Sequence, residues 1–244
     1  LTAGLLLGAN LKGDDLLTLR VFGDGPLGAI VVTATAKGEV KGYVQEPHVD
    51  LEPEVKGKLP VGKAVGKGIL YVTKDMGLKE PFTGSVELVS GEIGEDVAQY
   101  LLTSEQTPSA VALGVLVSPE GSVAASGGLI VQLFPDAGED VLTCLEQSLS
   151  QLPPVSTLVN QGLTPEEIVN KAVGGLEVQY LEKNPVYFKC TCSRDRIKDI
   201  LAAMGEAEIK NILEERGEAE VRCHFCGDSY TFNASELEAI LSGL

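Results

Sequence analysis

Four of the five cysteines in this 244-residue chain fall into two tight clusters, Cys190-Thr191-Cys192 and Cys223-His224-Phe225-Cys226, with residues 193 to 222 between them. No other feature limits the fold as strongly. Two close pairs around a thirty-residue insert form the pattern by which a chain presents four thiolates to one tetrahedral Zn²⁺. The Cys-x-x-Cys turn brings both sulfurs to one side, and Gly227 after it can take the backbone shape that aims main-chain N–H groups at them. In an extended Cys-x-Cys both side chains project to the same side, with Cα atoms about 6.6 Å apart from strand rise. The pattern predicts one Zn²⁺ per chain in the reduced state, held by Cys190, Cys192, Cys223 and Cys226.

Different roles for the clustered thiols fit less well. An odd number of cysteines in a long chain without a recognisable signal peptide does not suit a secreted disulfide framework. Unrelated core cysteines have no reason to cluster. His224 offers a Cys₃His alternative, but it lies inside the knuckle, where the turn points side chains outward. Clustered thiols without an export signal place the protein in the reducing cytoplasm.

Charge narrows the partners. The formal net charge is −16, whereas nucleic-acid binding needs a basic stripe. From Cys190 to Leu244 there are six Lys and Arg against eleven Asp and Glu, a net −5, so the cysteine region is no exception. No apolar run reaches the ~18 residues of a membrane span. The chain opens on Leu1 to Leu11, read as an apolar helix entered partway through, so that a segment upstream is expected.

Taken in order, Leu16–Phe22, Ala29–Thr35, Glu39–Val44, Ile69–Lys74 and Gly84–Val89 read as strands from their β-branched and alternating residues. Gly23-Asp24-Gly25-Pro26-Leu27-Gly28 matches G-x-G-x-x-G, but a strand rather than a helix follows it, so it reads as a hairpin turn. Gly62 to Gly68 fails the phosphate-loop spacing and lacks its Ser/Thr. An irregular charged stretch runs through Lys58, with His48 between Pro47 and Pro53 as a solvated loop residue. Glu95–Leu102 reads as a helix with acids in its first turn. Ala110–Val117 and Gly128–Leu133 read as apolar strands, central rather than edge. A helix near Glu139–Leu152 carries Cys144 as a small core residue. No catalytic constellation is present, and the chain is not expected to be an enzyme.

Pro153-Pro154 marks a boundary. A short helix from Val155 to Gln161 ends at Gly162. Thr164-Pro165-Glu166-Glu167 then sets N-cap, N1 and N3 of a second helix, whose apolar face is Ile168, Val169, Ala172 and Val173, stopped by Gly174-Gly175. Helices this short need their stripe to rest on something else. The expected architecture is α+β. An N-terminal mixed α/β domain with hairpin-linked sheets covers 1–152, a metastable helical linker 153–189, and a small zinc-binding domain 190–244. In the last, Ser193 caps a helix to Met204, Glu206–Glu215 forms another, a hairpin flanks the knuckle, and Asn233 starts a final helix.

A 55-residue unit buries little apolar surface and benefits from a staple. Structural zinc contributes roughly 10–16 kcal/mol, as much as a whole domain's stability, so the unit is expected to unfold without it. Lys189, Arg194, Arg196 and Arg222 can soften the excess charge of thiolates, the form that oxidants attack. A local Cys223–Cys226 disulfide is geometrically ordinary, and Cys190–Cys192 is just within the ~6.8 Å Cα limit. Neither bond would hold the insert closed as the metal does. Oxidation would thus discard the cross-link and free the linker to expose Leu158, Val159, Leu163, Ile168, Val169 and Val173, a surface able to hold unfolded chains.

The whole chain resembles the redox-regulated heat-shock protein 33 chaperonins, most closely their Gram-positive branch. The likeness rests on the cysteine spacing together with Leu11–Asp15, Gly23–Pro26, Ser104-Glu105-Gln106-Thr107-Pro108, Gly162–Glu167 and Phe188–Ser193. Members of that family carry a few tens of residues before the position of Leu1, part of their first domain. The resemblance implies an ATP-independent holdase, inactive while reduced and zinc-loaded. In such proteins oxidation forms the Cys190–Cys192 and Cys223–Cys226 disulfides, releases zinc, unfolds the zinc domain and linker, and lets unfolded or oxidatively damaged clients bind as the protein becomes a homodimer. The alternative is a zinc-ribbon regulatory or structural domain protein without chaperone activity; a thiol–disulfide oxidoreductase is a further rival, lacking its strand–helix pattern.

Overall fold

The structure is a computed structural model describing residues 1–52 and 58–243. Residues 53 to 57, which begin with Pro53 and belong to the charged stretch expected to be irregular, lie outside the described residues, as does Leu244. The chain divides into two compact units, Leu1–Tyr187 and Phe188–Leu244.

The first unit is organised on β1 (Leu16–Gly23), where Leu17, Leu19 and Val21 alternate inward and Thr18 and Arg20 outward, the period-2 pattern of a sheet with one covered face. It pairs antiparallel with β2 (Ala29–Thr35) and, on its other side, with β4 (Gly68–Asp75), setting Leu19 between Val32 and Val72. With β3 (Glu39–Val44), β5 (Phe82–Glu87) and the two-residue β8 (Tyr187–Phe188), the sheet order is β5-β4-β1-β2-β3-β8. The Tyr187 N–H closes its edge on the Gly38 carbonyl at 2.8 Å. The inner face packs against α1 (Thr2–Gly8) and α3 (Ile93–Thr103), where Val97 and Tyr100 are fully buried among Leu17, Leu70 and Val72.

The two glycine-rich stretches explain one another. In the 23–28 loop the N–H groups of Asp24, Gly25 and Leu27 bond the carbonyls of Lys67, Val65 and Ala64, and Asp24 Oδ1 accepts the Lys67 N–H at 2.7 Å. The short helix α2 (Val61–Val65) and its following turn thus interlock with the β1–β2 loop. A Cβ on Gly23 would stand 1.8 Å from the Val65 carbonyl oxygen, and one on Gly68 1.8 Å from that of Phe22. Backbone-to-backbone packing, not a phosphate, requires these glycines.

Three sequence expectations are corrected. The fifth strand ends at Glu87, not Val89, because the N–H groups of Val89 and Ser90 turn away to the buried carboxylate of Asp96, at 2.7 and 3.2 Å. The strands expected to be central, β6 (Ser109–Val117) and β7 (Val123–Gln132), pair only with each other among the described residues. Their apolar character comes from helix cover: α1, α3 and α5 (Val155–Asn160) all pack on this ribbon. Cys144, on α4 (Glu139–Ser150), is half-buried rather than a core residue, its sulfur beside the Gly174 and Val173 carbonyls at 3.7 and 3.9 Å.

α5 and α6 (Pro165–Ala172) belong to this first compact unit. α6 carries the expected capping box, with the Thr164 hydroxyl accepting the Glu167 N–H at 3.2 Å and the Glu167 carboxylate accepting the Thr164 N–H at 2.8 Å. Among the described residues, no helix is long and apolar enough to cross a membrane.

Candidate metal centre

The second unit gives each cysteine cluster a rigid neighbour. Directly after Cys192, the Ser193 hydroxyl accepts the Arg196 N–H at 3.2 Å and starts α7 (Arg194–Met204). Gly205, at φ +93°, breaks the chain into α8 (Glu206–Glu215). β9 (Glu218–Arg222) leads into the second cluster, and β10 (Ser229–Asn233) leaves it as the antiparallel partner, with Tyr230 opposite Val221. Asn233 caps α9 (Ala234–Leu241) through a second capping box. Ile197, Leu201, Ile209, Ala219, Phe232, Leu237 and Ile240 form the buried core. Arg194 braces it from outside, 4.4 Å over the Phe232 ring and paired with Glu236 at 2.7 Å.

The four sulfurs converge. Those of Cys190, Cys192, Cys223 and Cys226 all lie within 4.8 Å of one another. The knuckle is closed by the Gly227 N–H on the Cys223 carbonyl and the Cys223 N–H on the Asp228 carbonyl, both 2.8 Å, with Gly227 at φ +80°. Between the clusters, the sulfurs lie 3.6 Å apart for Cys190 and Cys223 and 3.3 Å apart for Cys192 and Cys226. A tetrahedron with ~2.3 Å metal–sulfur bonds has sulfurs about 3.8 Å apart, whereas a disulfide needs ~2.05 Å. All five cysteines are free thiols, and the spacing of the four suits a shared tetrahedral ion.

Their ionisation points the same way. Burial opposes the charged form of Cys223, yet the N–H groups of Cys226 and Phe225, with the Cys226 and Cys190 thiols, outweigh it and bring it down to about 7. At Cys226 the Asp228 N–H favours the thiolate, but the sulfurs of Cys192, Cys223 and Cys190 hold the group well above the ordinary thiol range. Burial pushes Cys190 up, although the Cys192 N–H faces its sulfur. Crowded sulfurs that ionise against one another take up four thiolate charges together only around a cation. The Tyr230 hydroxyl donates to Cys192 Sγ at 3.2 Å, and this bond, ahead of burial, raises the phenol.

Of the nearby basic residues, Arg194 is turned to Glu236 and the Thr231 carbonyl, Arg196 to the Thr191 hydroxyl and Arg222 to the Gly227 carbonyl. The linker residues singled out in the sequence sit elsewhere, in the first unit. Leu158 and Ile168 are buried with Leu129, Val155 and Ala172, and Val159 and Leu163 pack at the border of that cluster. Val169 and Val173 are half-buried. Sequence reasoning passed over Tyr230, whose position beyond the knuckle gives no motif signal.

The family model described as Hsp33 protein matches residues 1–233. A 33 kDa chaperonin of Desulforamulus reducens is 60% identical over 241 residues, which cover 99% of this chain and 82% of that one. The 33 kDa chaperonin of Geobacillus sp. strain WCH70 is 50% identical, with 98% and 82% covered. A crystal structure of the 33 kDa chaperonin (heat shock protein 33 homolog) of Thermotoga maritima superposes with a TM-score of 0.92 at 36% identity, covering 100% of this chain and 83% of that one.

Proposed function

The chain belongs to the Hsp33 family of chaperonins, and from that membership we propose a holdase whose client surface is released by oxidation of one cysteine cluster. The observation that carries the proposal is the convergence of four sulfurs from the two ends of a thirty-residue insert. Cys190, Cys192, Cys223 and Cys226 hold one Zn²⁺ in the reduced protein. When bound, the ion would offset two of the four thiolate charges and cross-link the ends of the insert. Peroxide or hypochlorite converts the thiolates to the local disulfides Cys190–Cys192 and Cys223–Cys226, as the family resemblance implies, and so removes the donors.

Functionally the chain divides at 152 and 189, with a linker between body and zinc domain. Loss of the metal donors unfolds 190–244 and frees the linker. Leu158, Val159, Leu163, Ile168, Val169 and Val173 then leave their packing and meet unfolded or oxidatively damaged chains through nonspecific apolar contact. The protein works by holding clients, not by catalysis, in the cytoplasm, and the activated form pairs as a homodimer.

Peroxide with mild heating tests the proposal directly. A chromophoric chelator should report one zinc released per chain, and light scattering should show suppressed aggregation of an unfolding client only afterwards. Zinc release with unchanged aggregation would defeat the holdase mechanism.

A further inference from the structure

The donors facing three of the sulfurs come from the sulfurs' own turns: the Cys192 N–H at Cys190, those of Phe225 and Cys226 at Cys223, and that of Asp228 at Cys226. Cys192 receives a donor of another kind. The phenol of Tyr230 reaches it at 3.2 Å from 38 residues along the chain, carried on β10 by pairing with Val221 and packed at the edge of the small core. A main-chain donor in the same turn moves with its sulfur. The phenol is fixed by a different element, so its bond holds the Cys-x-Cys segment against the knuckle hairpin.

We infer that Tyr230 is a positioning residue that seats Cys192 in the metal centre and restrains its reaction with oxidants. The inference rests on the metal-centre assignment above. A hydrogen bond to a sulfur draws electron density from the lone pairs that attack an electrophile, and donors behind metal ligands set their orientation and affinity. With hydrogen peroxide, one thiolate attacks the O–O bond, keeping one oxygen as a sulfenic acid while the other leaves as hydroxide. A second thiolate then attacks that sulfur and expels a second hydroxide, and two solvent protons convert both hydroxides to water. Two electrons pass from the sulfur pair to the peroxide. Tyr230 weakens the nucleophile in this sequence when the attacking sulfur is Cys192.

The test is Tyr230→Phe, which keeps the ring in the core and removes only the hydroxyl. Reduced, zinc-loaded full chain is pulsed with peroxide in one arm and with iodoacetamide in the other, so that the second unit stays folded in both. Trypsin cuts after Lys189, Arg194 and Arg222, so the two cysteine clusters fall on separate peptides, and fragmentation separates Cys190 from Cys192. The expected result is about three- to tenfold faster modification of Cys192 relative to Cys223 in the variant, in both arms. Competition with a chromophoric chelator should show zinc held roughly tenfold more weakly. Unchanged relative rates and unchanged zinc affinity in a folded variant would overturn the role of Tyr230 alone. A wild-type chain that holds no zinc would instead overturn the metal assignment on which it rests.

Discussion

Lys183 Nζ lies 2.6 Å from Glu166 Oε1, and Tyr180 donates its hydroxyl to the Glu166 carbonyl at 3.2 Å. The extended segment that leads toward the cysteines is thereby strapped to the first turn of α6. The Lys183 hydrogen bond is the main reason that the Glu166 carboxyl sits below its ordinary 4.5. A depressed carboxyl stabilises the strapped state above its ordinary pKa and loses that contribution as pH falls through the lowered value. Protection of residues 176–187 against hydrogen exchange, taken relative to the intrinsic rate at each pH, should therefore fall below about pH 4.5 in wild type. Lys183→Met should show the lower protection already at neutral pH and lose most of the acid dependence. Equal protection in variant and wild type at both pH values would mean that Tyr180 and the main chain alone hold the segment.

Leu158 is 3% exposed and Ile168 6%, both in one buried cluster with Leu129 of the β6–β7 ribbon. Truncating a buried Leu removes transfer energy and leaves a cavity, a loss of about 2–5 kcal/mol. Leu158→Ala should loosen the connector without touching a sulfur. The expected outcome is measurable aggregation suppression by the reduced protein, with zinc content still one per chain. A destabilised variant that stays inert until oxidised would separate the connector from the client surface.

The parts legible in the sequence are those where one residue type answers a local need. Thr164-Pro165-Glu166-Glu167 and Asn233 to Glu236 named their helix starts because capping is settled within four residues. The cysteine spacing picked out the four sulfurs that the fold brings within 4.8 Å of one another, because metal-ligand chemistry tolerates few substitutes. Apolar runs were less informative. Ala110–Val117 is hydrophobic because helices cover it, a circumstance that periodicity cannot tell from burial between strands. Asp96 read as a favourable charge at a helix start, and only the folded chain shows its carboxylate gathering the Val89 and Ser90 N–H groups. Tyr230 likewise depends on a contact 38 residues distant. Long-range polar partners leave no local pattern.

The interlocked glycine loops yield a prediction about both fold and ligand. Gly68→Ala would place a Cβ 1.8 Å from the Phe22 carbonyl oxygen, which β1 and β4 cannot relieve without breaking their register. A loss on the order of 4 kcal/mol or more is expected, seen as insoluble protein or a much lower denaturant midpoint. The N–H groups of Asp24, Gly25 and Leu27 are already used by the 64–67 backbone. ATP should accordingly leave the melting temperature of wild type unchanged, and a clear upward shift would reopen phosphate binding at these loops.

Removal of the metal should act on one unit and spare the other. Among its described residues the second unit has a core of seven buried side chains, whereas structural zinc supplies roughly 10–16 kcal/mol, more than such a core provides. The first unit keeps Leu17, Val72, Val97 and Tyr100 fully buried and the Tyr100 hydroxyl bonded to Glu105 at 2.8 Å, none of which involves a sulfur. Chelator added to reduced protein should abolish amide protection across residues 188–243 and leave that of β1, β2 and β4 intact. Oxidation by peroxide should give the same map, because both treatments remove the cross-link between the ends of the insert. Protection that survives chelation in α7, α8 and α9 would show that the apolar core suffices, and the cysteines would then lack the leverage to act as a switch.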